Sequence, residues 1–296
     1  MSEPQILIPV DELEQLIARQ DTVVADVRFD LADPAAGRRS YEEGHIPGAV
    51  FLDLDEDLAA PIGSMTGRHP LPDVALIART LGHLGIGNDR SVVVYDGGNG
   101  AIAARAWWIL RWLGHEQTRL LDGGLAAWLR AGGSLEAGTA TPDATEFRAK
   151  PRGELVMTTE ELADDLPGIP GRRLLDARDA ARYRGDVEPV DPIAGHVPGA
   201  INLPFSDLIT AEGLWRSAAE RRERLQEALG EDKEAAWSVM CGSGVTACHL
   251  AIAGLEAGYR EPRVYVGSWS EWIRDPGRPI GVGEGCSDCL LAADMA

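Results

Sequence analysis

Three shortages in the sequence each close off a class of function. Cysteine occurs only four times in 296 residues, too rarely for the disulfide framework on which many secreted domains depend, so a reducing cytoplasmic setting is expected. Basic residues are outnumbered, 28 Lys and Arg against 47 Asp and Glu, for a formal charge of −19. Such a balance repels phosphate backbones and anionic bilayers, and neither nucleic acid nor a membrane is expected as a partner. Long apolar runs are also missing: nothing approaches the ~18 residues that span a bilayer. The opening "MSEPQILIPVDELEQLIARQ" has neither the basic start nor the apolar stretch of a secretory signal. A soluble chain without a targeting segment is the expectation.

What is present is a repeat. With 45% hydrophobic and 25% charged residues, the chain can bury a sizeable core, and it is about twice the usual domain length. In the first half "VVADVRFD" leads to "YEEGHIPGAV", "SVVVYDGGNGAIAARAWWILRWLGH" and "LLDGGLAAWLRAGG"; in the second "RLLDARDAARY" leads to "AGHVPGAINL", "AAWSVMCGSGVTACHLAIAGLEAGY" and "VYVGSWSEWIRDPGRP". Asp26 answers Asp176, His45 answers His196, Asp96 answers Cys241 and Trp128 answers Trp272. A period this long points to two duplicated globular domains rather than a solenoid. We draw them as 1–135 and 157–283, with a Gly- and Pro-rich linker over 136–156 and a tail over 284–296. Each copy alternates short β-branched runs with helical patterns. The fold class is therefore α/β, each domain a mainly parallel sheet with helices on both faces.

"CGSGVTA", residues 241–247, places Cys241 between a buried strand and a glycine-rich turn that opens a helix. In that arrangement successive backbone N–H groups converge on one spot beside a positive helix end, a setting that favours thiolate over thiol. A cysteine at a strand end is also at home as a plain core residue. Gly242 and Gly244 argue for the other use, because a core strand end needs no run of small residues, whereas a loop approaching an anion does. Cys248, inside the helix, reads as a core thiol.

With its two "GH[IV]PGA" segments, its "LLDGG…W" and "VGSW…W" ends and a nucleophile loop in the second copy only, the chain resembles the tandem-domain rhodanese-family sulfurtransferases over nearly its whole length. All of "CGSGVTA" is similar to the loop of the 3-mercaptopyruvate sulfurtransferases; thiosulfate-using rhodaneses typically carry Arg-Lys where Gly242 and Ser243 stand. The resemblance implies two rhodanese-like domains and transfer of sulfur from 3-mercaptopyruvate through a Cys241 persulfide, with pyruvate released and no metal or organic cofactor. The acceptor would be cyanide or a thiol such as thioredoxin or glutathione. It also implies a catalytic group of Cys241, Ser243 and His45 with Asp33, and a donor site of Arg182, Arg184, Gly242, Gly244, Val245 and Thr246. Many relatives carry a further Arg shortly before the second "GH[IV]PG". Here that stretch reads "EPVDPIAGH", so either Arg184 substitutes or carboxylate binding is weaker. The first copy, with Asp96 at the nucleophile position, would be catalytically silent.

Two other readings stay open: a thiosulfate:cyanide sulfurtransferase, and a non-catalytic persulfide carrier loaded by a partner. A cysteine phosphatase is excluded on chemistry, since its loop ends in an Arg six residues after the Cys and that place holds Ala247. Gly97, Gly98 and Gly100 lack the Lys of a nucleotide-phosphate loop. Cys286 and Cys289 form half a zinc set with nothing downstream to complete it. Trp107, Trp108, Trp112 and Trp128 are expected in the core and between the domains.

Overall fold

The computed structural model describes residues 5–20, 22–164 and 173–284; the Cys286 and Cys289 pair lies outside them. In the first half β1 (Leu7–Ile8), α1 (Val10–Arg19), β2 (Thr22–Asp26), α2 (Ala36–Glu43), β3 (Val50–Phe51), α3 (Val74–His83), β4 (Ser91–Tyr95), α4 (Ala101–Trp112), β5 (Thr118–Leu121) and α5 (Gly124–Arg130) follow one another. The second half repeats the alternation with β6 (Val156–Met157), α6 (Thr159–Asp164), β7 (Arg173–Asp176), α7 (Ala180–Arg184), β8 (Ile201–Asn202), α8 (Ala218–Leu229), β9 (Trp237–Met240), α9 (Ala247–Glu256), β10 (Arg263–Tyr265) and α10 (Ser268–Trp272).

The sheets run β1-β5-β4-β2-β3 and β6-β10-β9-β7-β8, and every strand pair is parallel. Consecutive valines at 92, 93 and 94 are all fully buried. That is the pattern of a strand covered on both faces, not the alternation of a sheet with one wet side. The order reverses beside β4 and beside β9, so the loops leaving their carboxyl ends open into the crevice where open α/β sheets bind ligands.

Equivalent residues in the two halves carry equivalent structural duties. Asp26 holds Arg28 at 2.7 Å and Asp176 holds Arg178 at 2.7 Å; each guanidinium then reaches a turn carbonyl, Gly44 or Gly195. One continuous core crosses the boundary between halves, with Trp107, Trp108 and Trp112 of α4 packed in the same cluster as Leu250 and Ala251 of α9. Trp128 belongs to a smaller cluster with Leu13 and Leu16 of α1. The segment drawn as a linker is laid along the first half: Thr145, Lys150 and Arg152 donate backbone hydrogen bonds of 2.8 Å to Gly82, Leu113 and Trp112. Up to Arg152 it has neither helix nor strand, and such bonds to the first half take the place of a ladder; its last residues form a 3-10 turn, Gly153–Leu155, and enter β6.

Candidate active site

Cys241 is the first residue past β9, and α10 fixes the turn that follows. The Trp269 amide donates to the Cys241 carbonyl at 3.0 Å and the Ser270 amide to the Gly242 carbonyl at 2.9 Å. The Cys241 amide donates to Ser268 Oγ at 3.1 Å. Gly244 has φ 76°, and a Cβ there would lie 2.4 Å from the Val266 carbonyl oxygen, so only glycine fits. With its carbonyls tied back, the loop has amides left over: among the described residues, none from Gly242 to Ala247 donates to a protein acceptor.

The first copy shows what such amides are suited to hold. After β4, the Asp96 carboxylate accepts from Gly98 and Gly100 on one oxygen, at 2.9 and 3.1 Å, and from Ile102 and Ala103 on the other, at 3.0 and 3.2 Å. An anion thus sits in the first cradle; in the second, Cys241 is the residue at the equivalent place after the strand.

Cys241 is 2% exposed but lines a cavity of about 300 Å³ whose walls come from both halves. Gly242, Ser243, Val245, Thr246 and Arg182 line the same cavity, as do Arg68 and His69 of the first half. Cys248 is fully buried, with its thiol against the Gly244 carbonyl at 3.3 Å. Burial pushes that thiol up to about 12, so it stays protonated and unreactive.

The serine of the loop does meet an imidazole, but not that of His45. Ser243 Oγ lies 2.8 Å from His69 Nδ1, and His69 Nε2 lies 3.3 Å from Asp55 Oδ1. Burial, reinforced by repulsion from Arg105 and Arg68, pushes the His69 imidazole down to about 3. It is therefore neutral near pH 7, and with Nδ1 accepting from the Ser243 hydroxyl the ring proton falls on Nε2, on the side of Asp55.

His45 and Asp33 are corrected accordingly. His45 pairs its Nδ1 with the Tyr41 carbonyl at 2.8 Å and stacks on the Tyr41 ring at 4.0 Å; its repeat partner His196 does the same with Tyr183, at 2.8 and 3.9 Å. Both histidines brace their own turns. Asp33 lies on the surface, 2.5 Å from Arg39 Nη2.

Arg182 faces the cavity, held by Glu188 at 2.7 Å and Asp191 at 3.1 Å. Arg184, expected beside it, instead reaches Asp186 at 2.8 Å and Glu284 at 3.4 Å and does not line the cavity. Two positions apart on the short α7, the two side chains are turned about 200° from one another and point to different faces.

Sequence reasoning missed His69, Asp55 and Arg68, all in the segment 52–73 between β3 and α3. The corresponding segment of the second half, 203–217, is shorter and carries no histidine. A histidine without a repeat partner was the available signal. Arg105 of α4 was missed too. Fully buried, it donates to the carbonyls of Gly244 at 3.2 Å and His69 at 3.1 Å, and so ties the Cys241 loop of one half to the histidine segment of the other.

Residues 9–131 and 158–275 each match the rhodanese-like domain. A probable 3-mercaptopyruvate sulfurtransferase of Pseudomonas aeruginosa is 46% identical over 286 residues, 96% of this chain and 100% of that one. A putative thiosulfate sulfurtransferase of Mycobacterium tuberculosis is 41% identical over 280 residues, 94% and 98% of the two chains. Among solved structures, SseA from Escherichia coli, described as a 3-mercaptopyruvate sulfotransferase, superimposes with a TM-score of 0.80 at 31% identity, covering 90% of this chain and 100% of that one. A duplicated parallel α/β unit, a cysteine cradle in one copy and family matches to both halves converge: the chain belongs to the rhodanese-like family.

Proposed function

We propose that the protein transfers sulfur from 3-mercaptopyruvate to a thiol or cyanide through a persulfide on Cys241. The observation that carries this reading is the pair of cradles: loop amides grip the Asp96 carboxylate in one copy, and in the other, among the described residues, the amides of Gly242 to Ala247 beside Cys241 have no protein acceptor. Such a cradle lowers the free energy of a thiolate and of the persulfide anion that follows it.

In the first half-reaction the Cys241 thiolate attacks the donor sulfur. The new S–S bond forms as the C–S bond breaks, and the electron pair leaves on carbon as the enolate of pyruvate. The proton originally on the donor thiol ends on that carbon, and Ser243 with neutral His69 provides the route: the hydroxyl passes a proton while Nδ1 accepts one. Arg182 holds the donor carboxylate. In the second half-reaction an acceptor thiolate or cyanide attacks the outer sulfur, and the Cys241 thiolate leaves. Thioredoxin, glutathione and cyanide all have the required nucleophile, and a reducing cytoplasm would keep the free thiols Cys241 and Cys248 from oxidising.

Donor choice follows from charge. Thiosulfate carries two negative charges close to its transferable sulfur, and the loop offers it no side-chain cation at Gly242 or Ser243; for mercaptopyruvate the single countercharge comes from Arg182 in the cavity wall. Wild type incubated with 3-mercaptopyruvate alone is expected to release pyruvate and gain the mass of one sulfur atom. Cys241→Ser should do neither, and Cys248→Ser should do both. A strong preference for thiosulfate, or equal loss in the two variants, would overturn the reading; persulfide formation only with a loading partner would favour the carrier.

A further inference from the structure

The three guanidiniums that line the cavity with Cys241 each have a carboxylate to match their charge. Arg178 pairs with Asp176 and Arg182 with Glu188, both at 2.7 Å, and Arg68 pairs with Asp191. Arg105, beneath the loop on α4, is different: it is fully buried, and among the described residues it has no carboxylate partner. Its Nη1 donates to the Gly244 carbonyl at 3.2 Å, and its Nη2 to the carbonyls of His69 at 3.1 Å and Leu58 at 3.5 Å. The guanidinium lies over the Trp108 ring at 5.7 Å, and its Nε is buried without a hydrogen-bond partner. Carbonyls and a ring face satisfy donors, but none of them carries a countercharge. A cation taken out of water without one is costly to keep.

Two thiols are the ionisable groups that act on this charge. Burial pushes the Arg105 guanidinium down, and Cys248 and Cys241 push it back up. Cys248 donates to the same Gly244 carbonyl at 3.3 Å, but its thiol, pushed up to about 12, stays protonated. Cys241 alone of the two opens on the cavity. His69 adds no competing positive charge, because burial and then Arg105 itself keep the imidazole neutral. Asp55, beyond His69, and Asp179, before α7, are exposed, and water screens their charge. The bond to Gly244 also aims the loop. In a planar trans peptide the N–H of Val245 points opposite to the Gly244 carbonyl, and so away from Arg105.

Resting on Cys241 as the nucleophile, we propose that Arg105 is a positioning residue for the reaction: a buried positive charge, fixed by the first half beneath the Cys241 loop, that is matched only when the sulfur at 241 is an anion. Thiolate and persulfide both meet that condition, so one charge serves both half-reactions. The first half then contributes more than a wall of the cavity. It supplies the field in which the nucleophile of the second half ionises.

The test is the pH profile of Cys241 alkylation by iodoacetamide, read by peptide mass spectrometry in wild type, Arg105→Gln, Arg105→Met, Arg105→Lys and Arg111→Gln. In the two uncharged Arg105 variants the midpoint of the profile should move up by about 1 pH unit or more, the effect of losing one nearby opposite charge. Arg105→Met fills the space with no donor left unpaired, which keeps the measurement open where Arg105→Gln does not fold. Arg105→Lys retains the charge and should hold the wild-type midpoint to within about half a unit. Arg111→Gln removes another arginine of α4, one that pairs with Glu261 across the same boundary, and should leave the profile unchanged. An unmoved midpoint in a folded uncharged variant, or an equal shift in Arg105→Lys or Arg111→Gln, overturns the role of Arg105. Should both uncharged variants fail to fold, a shift of that size in Arg105→Lys overturns it. Alkylation needs no sulfur donor, so absence of pyruvate from wild type with 3-mercaptopyruvate overturns the donor reading separately.

Discussion

His45 and His69 are both buried, at 1% and 5% exposure, and only their surroundings tell them apart. His45 hydrogen-bonds a carbonyl four residues back in its own turn; His69 meets a hydroxyl 174 residues away in the other half. Replacing each by phenylalanine should therefore produce opposite phenotypes. His45→Phe removes a buried hydrogen bond and is expected to lower stability by about 1–3 kcal/mol while kcat/KM per folded molecule persists. His69→Phe removes the proton acceptor of Ser243 and should reduce kcat/KM about 10²- to 10⁴-fold in a protein that still unfolds cooperatively. Denaturant titration and pyruvate release read the two effects separately; loss of turnover in His45→Phe with His69→Phe active would reverse the assignment. The sequence pointed to His45 because its "GHIPGA" is the recognisable phrase, but that phrase occurs twice. Residues repeated in both copies, such as His45 with His196 and Asp26 with Asp176, brace the duplicated fold. In the proposed mechanism the chemistry gathers on residues that break the repeat.

At the scale of elements, β4, its loop and α4 are the counterpart of β9, its loop and α9, and they differ in what fills the cradle. Because four amides converge on the Asp96 carboxylate, Asp96→Ala should cost about 2–4 kcal/mol of stability. Sulfate should then restore more stability to the variant than it adds to wild type, since an anion can occupy the emptied site and bind only the folded state. Thermal unfolding with and without sulfate checks this, and an equal response in both proteins would remove the cradle account. The order and type of these elements were legible in advance, because β-branched runs and helical periodicity alternate without ambiguity. Less legible was the segment 52–73, which has no regular periodicity. Its course is set by tertiary contacts such as Gly67 against Gly267, and Arg68, His69 and Asp55 were invisible as a group for that reason.

For the molecule as a whole, the duplication could be read from the sequence, but the fusion of its halves could not. Tryptophans of α4 were expected at the boundary between the domains, but nothing in a linear repeat announces that α4 and α9 share one core there. His249, on α9, lies in that boundary, fully buried and stacked on Trp215 at 3.5 Å. Burial pushes its imidazole down to about 3, and Arg221 adds repulsion. The unfolded chain protonates this histidine below its ordinary value of 6.5, whereas the folded protein does not until about pH 3. Its contribution is therefore complete above pH 6.5 and is lost progressively as pH falls toward 3, at up to about 1.4 kcal/mol per pH unit. Replacing it with phenylalanine, of similar shape and able to keep the stack, removes the titration. Between pH 6 and 4 the stability of His249→Phe should fall less steeply than that of wild type by about one proton's worth of slope, measured by urea unfolding at each pH. Identical slopes would mean that the boundary between the halves already admits the proton in the folded state.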